Sequence, residues 1–277
     1  MLSEDKIIRI FCFVDDLLKG IGHQEDSKRK VSDSEVITTA IVSALYFGGH
    51  QDHARGFMKA SGMIPKMLDK SRFCRRLHSL EGLLFSLFFQ LGQYLKDISG
   101  ASDYVIDSFP VAVCDNIRIK RCKILKGEKW RGKQTSMRRY FYGVKVQVLV
   151  NAQGIPVEFC FVPGSESDVQ ALKKLPLSVC PESNIYGDSA YTDYFTEDEM
   201  KEMEGIFLQI QRKSNSTRPD EPWTRFLKEQ MRKGIETVFS EIKALFLRKI
   251  HAVTFKGFLL KVMMFIIAFT FNKLTVK

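Results

Sequence analysis

The sequence predicts a mixed α/β fold, a sheet flanked by helices, preceded by an all-helical N-terminal region. Three observations predict it. Residues 1 to 98 carry only helix signals, short β-branched and aromatic runs bounded by turn residues begin at Ser102, and helical stretches alternate with strands from Asp168 onward. With 277 residues, 45% of them hydrophobic, the chain can bury one large core or a core plus a smaller helical domain. The expected division is 1–98 and 99–277.

In the helical region, Ser32 and Glu35 of KVSDSEVITTAIVSALYFGG form a capping-box pattern ahead of an apolar run, which Gly48 and Gly49 stop. A second helix is expected from Ser71, with Arg72, Arg75 and Arg76 in its first turns and an almost wholly apolar end. The first strand is DYVIDSF. The segments YFYGVKVQVLV (140–150) and GIPVEFCFV (154–162), joined by NAQG, alternate as an antiparallel pair does around a tight turn. The loop PGSESD leads to a short helix ending at Lys174, and SNIYGDSAY (183–191) is a further strand. A helical stretch, TDYFTEDEMKEME, then a short strand, IFLQIQ, precede a long helix from Glu221 to Leu247.

Lys and Arg number 42 against 32 Asp and Glu, giving a formal charge of +10 and a pI near 9.3. Such a balance suits a polyanionic partner, nucleic acid first. Six cysteines without a CxxC pair read as free thiols in a reducing compartment. The start, MLSEDKIIRIF, has early acids and no basic stretch, unlike a secretory signal. The apolar run Val262 to Phe271, flanked by Lys261 and Lys273, is short of the roughly 20 residues of a spanning helix, so a buried terminal helix and no membrane are expected.

Two acids stand out because each follows an apolar strand segment: Asp107 after YVI and Asp188 after IYG. An ionised carboxylate at the edge of a core is costly unless it is paired or holds a metal. Either one alone fits a cap or strand-end turn. With a third carboxylate on a helix, the set suits a hard cation such as Mg²⁺, held through oxygen ligands. The long helix offers two candidates. At about 100° per residue, Ile235, Val238, Phe239, Ile242, Leu245 and Phe246 make one apolar stripe. Glu236 lies on one flank of it, in line with Arg232 and Lys243, and Glu241 lies on the other. A surface ion-pair ladder is the alternative for Arg232 and Glu236.

The order Asp on a first strand, Asp on a later strand and Glu on a helix resembles the DDE transposases of bacterial insertion sequences. That family's catalytic domain has the RNase H-like fold. Arg232, Glu236 and Lys243 keep the spacing of the superfamily's YREK signature, whose tyrosine position holds Glu229. The segment from Phe141 to Asp168 is similar to the family's second and third strands, including Gly143, Lys145, Gly154, Pro156, Gly164 and Asp168. SDSEVITTAIV, SRFCRRLHSL and VAVCDNIRIKR look most like the insertion-sequence group numbered 982. The resemblance implies Asp107, Asp188 and Glu236 as catalytic metal ligands for two Mg²⁺ ions, with Mn²⁺ as a substitute. It also implies double-stranded DNA partners (terminal inverted repeats and target), a homodimer or larger assembly on DNA, and a bacterial cytoplasmic, nucleoid-associated location. A metal-dependent nuclease that cuts without joining and an inactive DNA-binding descendant are the alternatives.

The basic run from Arg118 to Arg139 has ten Lys and Arg against one acid, Glu128. By composition it is a solvated loop. Placed after the first acid, Arg118, Lys120, Arg121, Lys123 and Arg131 would neutralise DNA phosphates, and Trp130 would stack on an unpaired base. Arg212 and Lys213 would extend that surface. Lys145, Arg232 and Lys243 are further DNA contacts, and Arg72, Arg75 and Arg76 would grip the element's ends. His50 and His53 have a zinc-like spacing but no nearby third ligand in sequence. DSFPV lacks a second Asp at Phe109, and neither GSES nor GDSAY matches a nucleophile elbow.

Overall fold

The computed structural model describes residues 3–100, 102–134, 138–246 and 250–275. The chain divides into two compact units, residues 1–91 with 242–277, and residues 92–241.

The first unit is helical. It contains α1 (Glu4–Gly20), α2 (Asp33–Tyr46), α3 (Gln51–Ala60), α4 (Lys70–Ser79), the start of α5 (Glu81–Ser99), the end of α8 (Pro222–Leu245) and α9 (Phe255–Thr275). α2 begins with the expected capping box: the Ser32 hydroxyl accepts from the Glu35 N–H, and the Glu35 carboxylate accepts from the Ser32 N–H. Most of α2 is buried, because α1, α3, α4 and α9 all pack on it. α9 belongs with these early helices, which moves the division away from 98/99. It is longer than the apolar run suggested, since Lys256 and Lys261 are tolerated within it. By length and composition α9 could cross a membrane. In this unit its buried residues, Phe258 to Phe271, are covered by α1 and α2.

The segment expected as one helix from Ser71 is two, separated at Leu80. Asp69 caps α4 by accepting from the Arg72 N–H at 2.8 Å, and the Leu80 N–H is shared between the carbonyls of Arg76 and Leu77. Phe73 and Leu77 turn into the core. Arg76, beside them, points inward too: its Nε and Nη2 both lie 2.6 Å from Oδ1 of the fully buried Asp33. Arg29 and His23 meet the other Asp33 oxygen at 2.9 Å. Arg76 therefore serves the helical core, and Arg72 and Arg75 are the exposed members of its cluster.

The second unit is built on a six-stranded mixed sheet. Its strands are β1 (Asp103–Cys114), β2 (Arg131–Gln134), β3 (Arg139–Asn151), β4 (Pro156–Pro163), β5 (Asn184–Gly187) and β6 (Phe207–Ile210). The order is β2-β3-β1-β5-β6, with β4 also on β3. β3 runs antiparallel to β1, β2 and β4, whereas β5 and β6 run parallel to β1. The expected β3–β4 hairpin turns at Asn151, whose side-chain oxygen accepts from the N–H groups of Gln153 and Ile155. β2 was expected as loop; it is an edge strand held by its backbone. Residues 135–137 of the basic run, and Leu247 of the long helix, lie outside the described residues. Short helices α6 (Asp168–Leu172) and α7 (Tyr194–Glu204) complete the unit with α8 and the end of α5.

α5 approaches β4 at Gly92. A Cβ there would sit 2.1 Å from the Val157 carbonyl oxygen, a backbone atom that cannot swing aside. Gly92→Ala is expected to cost about 1–3 kcal/mol by overpacking, read as a lower urea midpoint at unchanged slope.

Candidate active site

Strand register alone brings the two strand acids together. β5 pairs in parallel with only the first part of β1, where Val105 lies opposite Tyr186. Continuing that register by two residues sets Asp107 beside Asp188, on neighbouring strands that are about 4.8 Å apart in such a sheet. Both acids thus stand where β5 ends and β1 runs on paired only with β3. Gly187 permits the close packing just before Asp188: a Cβ on it would press on Ile210, Ile106 and Tyr191.

Each acid is steadied through one oxygen. Asp107 Oδ1 accepts from the Ser108 N–H at 2.7 Å, and its Oδ2 lies 3.7 Å from Arg232 Nη2. Asp188 Oδ1 caps the following turn by accepting from the Ala190 N–H at 2.8 Å. The cap and the site are therefore the same residue.

α8 supplies Arg232 from the flank of its buried stripe, where Ile235, Val238, Phe239 and Ile242 face inward as expected. Within this unit Phe239 packs on Phe109 of β1, with ring centroids 4.9 Å apart. Arg232 Nη1 donates to Gln211 at 2.6 Å, and its buried Nε has no hydrogen-bond partner among the described residues. Glu236 is exposed and lies one helical turn, about 6 Å of rise, beyond Arg232 on the same edge. Lys243 is exposed and falls in the first unit. Glu229, at the tyrosine position of the signature, pairs with Arg225 at 3.0 Å.

A third carboxylate joins the strand acids. Asp168, the first residue of α6, accepts from Lys145 at 3.1 Å and from the Ser108 hydroxyl at 3.0 Å. Burial pushes the Asp107 carboxyl up to about 6; Asp188 and Asp168 add to the rise, and the Ser108 N–H and Arg232 oppose it. Behind them the Tyr191 hydroxyl, buried first and then facing Asp107 and Asp168, is raised well above its ordinary range and accepts from Gln147 at 2.6 Å. Negative charge is thus concentrated beyond what Lys145 and Arg232 relieve. That is the environment in which an all-oxygen ligand set fits a hard divalent cation.

Asp168, Ser108, Gln147, Tyr191 and Gln211 had no assigned role in the sequence. Asp168 and Gln147, within the family-like segment, and Tyr191, three residues after Asp188, carried the only signal. The DNA-contact candidates divide by place. Arg118, Lys120, Arg121 and Lys123 are exposed in and after a 3-10 turn following β1. Arg131 is exposed and pairs with Glu128, and Trp130 is half-buried with Lys129 5.1 Å from its ring.

Among the described residues, the one group of three imidazole or carboxylate ligands mutually within 4.8 Å is His23, Glu25 and Asp33 in the helical unit. Arg29 and Arg76 already compensate it, so it is an internal ion-pair network. Asp107, Asp188 and Glu236 are farther apart than that limit as a set. His50 and His53 stack on each other, rings 5.2 Å apart, with no third ligand in that sense.

Residues 99–252 match the family described as Transposase DDE domain. No curated protein matches the sequence. A solved structure of piggyBac transposase, a synaptic complex with hairpin DNA, is similar at 12% identity, covering 99% of this chain and 73% of that chain, with a TM-score of 0.49.

Proposed function

Since this chain belongs to the transposase DDE-domain family and is a DDE-type transposase, we propose that it cleaves DNA at the ends of an insertion element and joins the freed ends to target DNA. The observation that carries this reading is the in-register meeting of Asp107 and Asp188 under Arg232. The sheet, in which β3 runs antiparallel to β1, β2 and β4 and the two later strands run parallel to β1, supports the RNase H-like assignment. Asp107 and Asp188, with Glu236 from α8, would hold Mg²⁺ or its substitute Mn²⁺, in two sites by family likeness. Bound there, such ions supply Lewis-acid stabilisation of the attacking and leaving oxygens of an in-line displacement.

The chain's own groups do the rest. Hydrolysis of one phosphodiester leaves a 3′-hydroxyl, which then displaces the 3′-oxygen of a target bond, so no covalent protein–DNA link is required. Arg232 would keep the Asp107 carboxylate oriented, its Nη2 beside that acid and its Nη1 on Gln211. Lys145 and the Ser108 hydroxyl together hold Asp168 in place at the wall. The exposed cations from Arg118 to Arg131, and Arg72 and Arg75 of the helical region, would position the inverted repeats through phosphates. Lys243 would add a phosphate contact. A homodimer or larger assembly follows from the need to join two ends. The group numbered 982 and a bacterial, nucleoid-associated setting belong to the same reading.

Asp188→Asn tests it. Asparagine keeps the Oδ1 cap on Ala190 and removes the charge, so the fold is expected to survive. On labelled duplexes carrying the inverted repeats that flank the gene, wild type with Mg²⁺ or Mn²⁺ yields nicked and joined products, and Asp188→Asn yields neither. Wild-type cleavage without joining would instead identify a nuclease, and binding without metal-dependent chemistry an inactive descendant.

A further inference from the structure

A cleft of about 720 Å³ opens beside Asp188. One end is Ser189, the residue after that acid, and another wall is Gln211, which accepts from Arg232. Lys213, Asn215, Arg225 and Glu229 complete the part that bears charge or amide groups. The lining is polar, which disfavours an apolar ligand. Its volume lies in the range that holds a small molecule or a nucleotide or two. A duplex does not enter such a space.

The charges are graded. Arg212 is forked onto the buried Glu197 and stacked over the Tyr194 ring, 5.1 Å from its centroid, so it is a fixed wall. Arg225 is drawn to Glu229. Lys213 is exposed and has no ion-pair partner among the described residues, so it is the cation available to an incoming anion. Ser189, Gln211 and Asn215 offer neutral donors and acceptors suited to phosphate oxygens and base edges.

We propose that this cleft binds an unpaired stretch of one or two DNA nucleotides next to the scissile bond, its phosphate on Lys213 and its base edge toward Asn215 and Gln211. The proposal rests on the transposase reading for the strand's identity, but its binding site is separable from the chemistry. A short single strand is the right probe because it can enter where a duplex cannot.

The experiment is fluorescence anisotropy of the full chain with a 5′-fluorescein thymidine tetranucleotide over a range of salt. Lys213→Ala is expected to weaken binding about tenfold and to flatten the log–log salt slope by about 0.7. Lys213→Arg restores both, and Glu229→Gln, which frees Arg225, tightens binding. If wild type joins DNA ends but Lys213→Ala and Glu229→Gln bind the tetranucleotide as wild type does, the cleft assignment is overturned and the transposase reading stands. If the variants shift binding as expected but wild type joins nothing, the cleft assignment holds and the transposase reading falls. Equal competition by thymidine monophosphate or inorganic phosphate at matched concentration would assign the cleft to a free anion and overturn its strand role.

Discussion

Glu158→Ala is expected to destabilise the protein by about 3–5 kcal/mol, the cost of stranding one partner of a buried ion pair. Lys96 of α5 and Glu158 of β4 are each 3% exposed and meet directly inside the second unit. The pair is fully enclosed by hydrogen bonds. Lys96 Nζ also donates to the Ser178 carbonyl at 3.1 Å, and the Glu158 oxygens accept from the N–H groups of Leu177 at 2.8 Å and Ser178 at 2.9 Å. Leu177 has a φ of +47°, a backbone state that an L-residue with a large side chain seldom adopts. The carboxylate holds that turn in place, so alanine removes its anchor and also the buried charge that Glu158 sets against the Lys96 ammonium. Replacing both partners by apolar residues of similar size, Lys96→Met with Glu158→Leu, is expected to recover much of the loss. Urea unfolding of the three variants measures this; a Glu158→Ala cost below about 1 kcal/mol would show that solvent reaches the pair.

Asp107→Asn is expected to stabilise the metal-free protein while abolishing strand joining. The carboxyl's pKa of about 6 exceeds its ordinary value of 3.8, so the folded state binds its proton more tightly than the unfolded chain does. Folding is therefore favoured by this group at low pH, and that advantage is lost as pH rises from about 4 to about 6. Above that window the wild type carries a penalty of about 2–3 kcal/mol, at roughly 1.4 kcal/mol per unit, that asparagine lacks. The two proteins should unfold alike near pH 4 and diverge toward pH 7, the variant melting higher. Mg²⁺ should then raise the wild-type melting temperature and leave the variant's nearly unchanged. A variant that melts below wild type at pH 7 without metal would sink the argument, because Asp107 would then be a structural hydrogen-bonding group.

Local pattern was enough for β3, β4, β6 and α2, since alternation and a capping box are written into adjacent residues. It also marked Asp107 and Asp188, whose polarity interrupts apolar runs. β2 escaped notice because RGKQ has no apolar face; it is a strand through its backbone pairing with β3. Arg75 and Arg76 look alike in RFCRR, yet they lie about 100° apart on α4 and only Arg76 reaches Asp33, 43 residues earlier in the chain. Asp168 and Gln211 reach the acids through tertiary placement, by way of Ser108 and Arg232, and no short-range pattern encodes that. Glu236 is exposed on α8 one turn from Arg232, and its part as a ligand remains a proposal that periodicity alone suggested.

The packing of α9 on α1 and α2 sets an order of assembly. Roughly 200 residues separate α2 from α9, and the whole second unit is encoded between them. At ribosomal rates of about 5–20 residues per second, the early helices emerge some 10–40 seconds before the helix that covers them. For that interval the sticky side of α2 is open to chaperones and proteases, whereas residues 92–241 can already collapse on their own sheet. A premature stop between Glu241 and Phe255 would thus yield a chain with an intact set of strand acids and a helical half that quality control removes.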